Sequence, residues 1–157
     1  MSMVEERLAA AGIVLGEVPP AVANYVPAKQ TGSLVYTSGN DCRVNGVLMY
    51  TGKVGAQLTV QQGYEAARQV AINLLTVLKA ELGDLDRVKQ VVKMLAFVNS
   101  APGFVEQPFV INGASDLLVE AFGDAAGKHA RSALSANELP FDTPVEIELI
   151  VEVDGER

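Results

Sequence analysis

The sequence predicts an α+β domain, with one mixed β-sheet carrying two helices on a single face. Three observations lead there. Helix-period and strand-period segments alternate through the middle of the chain, while both ends read as strand pairs joined by short turns. The order is β-β-α-β-α-β-β behind a short N-terminal helix. The last strand alternates strictly: Val145, Ile147, Leu149, Val151 and Val153 point one way, and Glu146, Glu148 and Glu152 the other. One sheet face is therefore apolar, to lie under helices, and the other carries carboxylates. Finally, 157 residues at 49% hydrophobic content, with no linker, repeat or low-complexity tract, can build one core. The chain reads as a single domain over 1–157, with 1–22 as an extension containing the short helix.

The elements follow in order. Residues 3–11 form a helix ending at Gly12, with Val4, Leu8 and Ala11 on one face. Pro19-Pro20 breaks what precedes it. Residues 25–28 and 34–38 are strand-like around a turn at 30–33. Asn45-Gly46 marks a tight turn within 41–49. The clearest helix spans about 59–82: Thr59 and Gln62 make a capping box, and Tyr64, Ala67, Ala71, Leu74, Leu78 and Leu82 recur at helical steps before Gly83. Residues 88–98, rich in β-branched side chains, read as a core strand. A second helix has its body at about 106–122. Phe109, Gly113, Leu117 and Phe122 mark its stripe, Gly123 its end, and 123–127 a loop of small residues. Two strands close the chain at about 130–138 and 144–153, around the Leu139-Pro140 turn.

Composition removes several function classes. The net charge of −7 opposes a phosphate-backbone partner, whose affinity is built from Lys and Arg contacts, and equally an anionic membrane surface. No apolar run reaches the roughly 20 residues that span a bilayer. The acidic start, with Glu5 and Glu6, does not read as a secretory signal, and the expected location is the cytoplasm. A single cysteine, Cys42, excludes an internal disulfide, and with one histidine it cannot make a Cys/His zinc site. The spacing of Gly32, Gly39, Gly46, Gly52 and Gly55 does not make a phosphate-binding loop. Only 20% of residues are charged, which suggests apolar surface covered by another subunit.

The chemistry-bearing residues gather near the C-terminus. Arg131 lies near the start of one closing strand, and Glu146 and Glu148 lie on the next. Adjacent strands would then hold a cation and carboxylates, enough to bind a small anion and work on it with an acid/base group. A guanidinium offers a planar fork that matches a carboxylate. The plainer alternative is a strand-end arginine in a salt bridge with a glutamate. His129 could shuttle protons or be a turn residue. Cys42 reads as buried and structural. Tyr25 could pack, and Asn112 could sit on a helix surface.

Three segments carry a resemblance. Asn24-Tyr25-Val26 is similar to a tyrosine-containing first strand, and Val35-Tyr36-Thr37-Ser38-Gly39 to a hydrophobic-T-S-G strand end. Ala130-Arg131-Ser132, with Leu139-Pro140 and Glu146-Ile147-Glu148, is similar to a closing signature. Together they resemble the reactive-intermediate deaminases (RidA/YjgF family) over about 130 residues, from roughly Ala23 to Val153. The resemblance implies a chorismate-mutase-like fold, assembled as a homotrimer with sites in the clefts between subunits. It implies hydrolysis of a small carboxylate-bearing enamine or imine to ammonia and a 2-keto acid, with no metal or organic cofactor. Arg131 would bind the substrate carboxylate, Glu146 would position the attacking water, and Tyr25 would line the pocket. Ser38, Gly39, Asn112, Ser132 and Ala133 would also meet the substrate. The chain departs from the family at Asn40, where glutamine is usual, at Ala133, often cysteine, and in the segments 41–58 and 103–113. A divergent branch with its own substrate is implied. The competing class is a non-catalytic trimeric module that binds a carboxylate metabolite. Some relatives have been read as ribonucleases, which the −7 charge opposes.

Overall fold

The computed structural model describes residues 2–155; Met1, Glu156 and Arg157, part of the expected 1–157 domain, lie outside the described residues. The chain forms α1 (Met3–Ala10), β1 (Ala28–Thr31), β2 (Leu34–Thr37), a small hairpin of β3 (Arg43–Val44) and β4 (Val47–Leu48), then α2 (Val60–Leu82). There follow β5 (Val88–Asn99), α3 (Gln107–Gly127), β6 (Ala130–Ala136) and β7 (Val145–Val153). The main sheet has the order β1-β2-β7-β5-β6, and only β5 and β6 run parallel. α2 and α3 cover the apolar face, as the alternation in β7 requires: Val145, Ile147, Leu149, Val151 and Val153 are all buried.

Local chemistry accounts for the helices. The Thr59 side chain accepts from Gln62 N, the Gln62 side chain returns to Thr59 N, and Gly83 ends α2 at φ +79°. Asn45 and Gly46, both at positive φ, make the β3–β4 turn. α2 and α3 cross where residue 113 has no side chain: a Cβ on Gly113 would lie 2.0 Å from Tyr64 O. α1 is capped by Ser2 and docked by its amides Met3 N and Val4 N, which donate to the Asp86 carboxylate at 2.8 and 3.0 Å. Its Val4 and Leu8 are buried in the common core, while Ala11 is only half-buried.

Four expectations need correction. The closing strands are not neighbours. β6 pairs in parallel with β5 through the α3 crossover, and β7 runs between β2 and β5, antiparallel to both. Parallel pairing needs such a crossover, and it carries β6 to the outer edge. The first strand begins at Ala28 rather than Tyr25, with a turn at Gly32-Ser33, because the register pairs Thr31 with Leu34. α3 does not end at Gly123. It kinks there (φ 81°, ψ 170°) and continues to Gly127, so the expected loop is a helical turn. Phe109 is 59% exposed: the buried stripe runs through Val110, Ala114, Leu117, Leu118 and Ala121, one position round the helix from it. No helix among the described residues is long and apolar enough to cross a membrane.

Candidate functional site

β6 is an edge strand. Arg131 stands opposite Met94 of β5, so its side chain leaves on the helix-covered side. There Nη1 donates to Ser115 Oγ at 3.0 Å and Nη2 donates to the Pro108 carbonyl at 3.2 Å. Both partners belong to α3, two turns apart on one face. Asn112, half-buried, lies between them on that face. Ser115 Oγ also lies 3.0 Å from His129 Nε2, and His129 Nδ1 lies 2.7 Å from the Gly127 carbonyl. Burial pulls the His129 pKa below 6.5; the bond to the Gly127 carbonyl works against that, and the Arg131 charge adds to the lowering. Among the described residues Arg131 makes no ion pair, so the salt bridge with a glutamate is not formed. A guanidinium has five N–H donors, and among the described residues protein groups engage only two of them. Ala133 shares this side of β6, whereas Ser132 turns to the opposite face and accepts from Lys93 Nζ at 3.4 Å.

A second group forms at the end of β2. Glu146 leaves β7 on the open face, half-buried, and packs on Gly39: a Cβ there would meet Glu146 Cδ at 3.2 Å and Oε2 at 3.3 Å. Beyond β2 the chain keeps its grip on β7, since Asn40 N donates to Ile147 O at 2.9 Å and Ile147 N to Asn40 O at 3.1 Å. Burial raises the Glu146 pKa above the usual 4.5, and the Asp41 and Glu148 charges push it the same way. Ser38 Oγ donates to Val26 O at 2.7 Å and Ser38 N to Pro27 O at 2.8 Å, which hangs the Tyr25–Pro27 segment on the strand end. Tyr25 itself is outside any strand and 53% exposed.

One chain thus holds the predicted residues in two groups. Arg131, Ala133 and Asn112 lie on the helix side of the β6 edge; Tyr25, Ser38, Gly39 and Glu146 lie at the end of β2 and on the open face. β5 separates β6 from β7, so the two backbones are about 10 Å apart, and Arg131 and Glu146 leave opposite faces. A surface hollow of about 520 Å³ between β1 and α2, lined by Val26, Ala28, Gln30, Val77 and Glu81, holds none of these residues. Among the described residues no cluster of three or more His, Cys, Asp or Glu side chains could hold a metal ion. Ser115 gains its place at the anchor only from the fold, which also brings His129, read from the sequence as a proton shuttle or a turn residue, into contact with it. The i, i+2 spacing of His129 from Arg131 puts both on one side of an extended chain. Nothing in the sequence marked Ser115.

Residues 5–153 match the family described as "YjgF/chorismate mutase-like, putative endoribonuclease". Protein TCP17 of Trypanosoma cruzi is 45% identical over 148 residues, covering 92% of this chain and 90% of its own. The crystal structure of Atu1372, a protein of unknown function from Agrobacterium tumefaciens, superposes with a TM-score of 0.90 at 43% identity, over 96% of this chain and 93% of that one. The crystal structure of a "putative endoribonuclease" from Shewanella oneidensis superposes with a TM-score of 0.92 at 38% identity, over 96% of this chain and 99% of that one. With these matches across nearly its whole length and the mixed sheet carrying α2 and α3 on one face, the chain belongs to the YjgF/chorismate mutase-like family.

Proposed function

We propose that the protein hydrolyses a small enamine or imine carrying a carboxylate, releasing ammonia and a 2-keto acid. The observation that carries this reading is a guanidinium oriented by α3 yet without an anionic partner among the described residues. Such a group is prepared for a ligand carboxylate. Glu146 supplies the second requirement. Its raised pKa makes the ionised form a stronger base, suited to taking a proton from water as the water oxygen bonds to the imine carbon. The amino group of the resulting tetrahedral adduct takes that proton back from Glu146, and the C–N bond breaks as Glu146 accepts the remaining hydroxyl proton and the C=O forms. The 2-keto acid and ammonia leave, and ammonia carries that proton away as ammonium. An imine carbon is already electrophilic once protonated on nitrogen, so positioning supplies most of the rest. Tyr25, Ser38 and Gly39 would border the reacting end, and Asn112 and Ala133 the anchored end, while Ser132, on the opposite face of β6, would stand outside the anchor.

The two groups meet, in this reading, between subunits. The β6 edge of one chain would face the β2 end of its neighbour in a homotrimer. Tyr36, Leu95, Phe97, Leu134 and Ile150 share the open face with Glu146 and give that face the apolar area an interface needs. Endoribonuclease activity, which the family description offers, fits the −7 charge poorly. We infer a cytoplasmic location. The test is ammonia release from freshly generated imino acids. Arg131→Ala should lose about 100-fold or more in turnover, and Arg131→Lys should be poor as well, because an ammonium cannot reproduce the fork. Pyruvate binding without turnover in the wild type would instead identify a non-catalytic carboxylate-binding module.

A further inference from the structure

The anchor contains a histidine that the proposed reaction leaves without a task. His129 is the chain's only histidine, and it is half-buried beside Arg131. Its hydrogen bonds fix where its proton sits. The Gly127 carbonyl can only accept, so Nδ1 at 2.7 Å carries the hydrogen. In the neutral ring Nε2 is then a bare acceptor, and its neighbour at 3.0 Å, the Ser115 hydroxyl, must donate to it. That commits the only hydrogen of Ser115 and leaves the lone pairs of Oγ for a donor. Arg131 Nη1, at 3.0 Å, is that donor. The order runs in one direction: Arg131 Nη1–H to Ser115 Oγ–H to His129 Nε2, with Nδ1–H closing on Gly127.

We infer that His129, acting through Ser115, is a positioning residue that orients the Arg131 guanidinium for a substrate carboxylate. This rests on the proposed role of Arg131. Without the histidine, Ser115 would be free to rotate and offer its hydrogen toward Arg131, where a donor meets a donor. With it, the serine presents only lone pairs to Nη1, and Pro108 O holds Nη2 at 3.2 Å. The fork is then fixed by two contacts, and its remaining N–H groups are left for a ligand. A serine beside a histidine also suggests a nucleophile and its base. Here Ser115 lies inside α3, where the backbone N–H groups are committed to the helix and none is free to hold an oxyanion. Its oxygen is also already engaged by Arg131.

The experiment uses the full-length protein and two separate readouts. The first is NMR of the single histidine and of the Arg131 guanidinium, assigned by comparison with Arg131→Lys. The wild type should show the Nδ1–H tautomer and slowed rotation about the Arg131 C–N bonds. Ser115→Ala and His129→Ala should release that rotation. His129→Gln should restore it, because the amide oxygen can accept from Ser115, and so should Ser115→Thr, which keeps the hydroxyl. The second readout is pyruvate affinity, expected to weaken about tenfold in the two alanine variants and to recover in the glutamine and threonine variants. An Nε2–H tautomer in the wild type, or alanine variants with unchanged guanidinium signals, would overturn the relay. A wild type that binds no pyruvate and hydrolyses no imine would overturn the proposed function instead, and the guanidinium signals would still decide the relay.

Discussion

Glu146 illustrates how a single side chain can be set against the stability of its own fold. Its carboxyl is half-buried, and its pKa is raised by burial first and by Asp41 and Glu148 after that. A raised folded-state pKa means that the folded state holds the proton more tightly than the unfolded chain does. Stability is then lost as pH rises through this range, and ionised Glu146 destabilises the fold at neutral pH. Glu146→Gln should therefore melt at the same temperature as the wild type or higher, while losing turnover. If Glu146 is the base, the rate should climb with pH through a value above 4.5, and the glutamine variant should lack that limb. A variant that is less stable yet fully active would show that Glu146 serves the structure. The residue types of the candidate site are present in the sequence, but their surroundings are not legible there. Arg131 could be read as a strand-end cation. Whether it had an ionic partner depended on α3, 16 residues upstream, meeting β6 through Ser115 and Pro108. Tyr25 was read as part of a strand, and it lies before one because Ser38 holds Val26 and Pro27.

At the scale of elements, the strongest local signals were the most dependable. The capping box and glycine stop defined α2, and the period-two pattern defined β7, because both are written in neighbouring residues. Strand order is a non-local property, and nothing inside β6 or β7 announces that β5 lies between them. The α2–α3 crossing was equally silent: Gly113 was taken as one of a stripe, and its function is to let two backbones approach. Gly113→Ala would drive a Cβ to 2.0 Å from Tyr64 O, so the helices must separate. The expected cost is about 1–3 kcal/mol, seen as a lower midpoint in denaturant. An unchanged midpoint would mean that the crossing is looser than described. α1 makes a similar test. The Lys79 ammonium 2.9 Å away, followed by the Ser2 amide, holds the Glu5 carboxyl down to about 2. A depressed carboxylate contributes stability above its usual pKa and loses it as pH falls from about 4.5 toward 2. The contribution is modest for a surface pair. Leu8→Ala should cost more, about 2–3 kcal/mol, because that side chain is buried in the common core. Hydrogen exchange confined to α1, with no change in global stability, would contradict this.

For the whole molecule, the split arrangement of the site decides what an assembly must do. Arg131 and Glu146 leave opposite faces of the sheet on strands separated by β5, so one chain cannot bring them to one small ligand. Light scattering at micromolar concentration should give the mass of three chains, and the mass of one would remove the cleft altogether. The most direct measurement is complementation. Arg131→Ala and Glu146→Gln, each inactive alone, are mixed in equal amounts under conditions that exchange subunits, and imine hydrolysis is measured. If each site takes Arg131 from one subunit and Glu146 from its neighbour, random mixing rebuilds about one quarter of the sites, and activity returns toward that fraction of wild type. Mixed oligomers that form, as tagged subunits can show, and remain inactive would contradict a site shared between subunits.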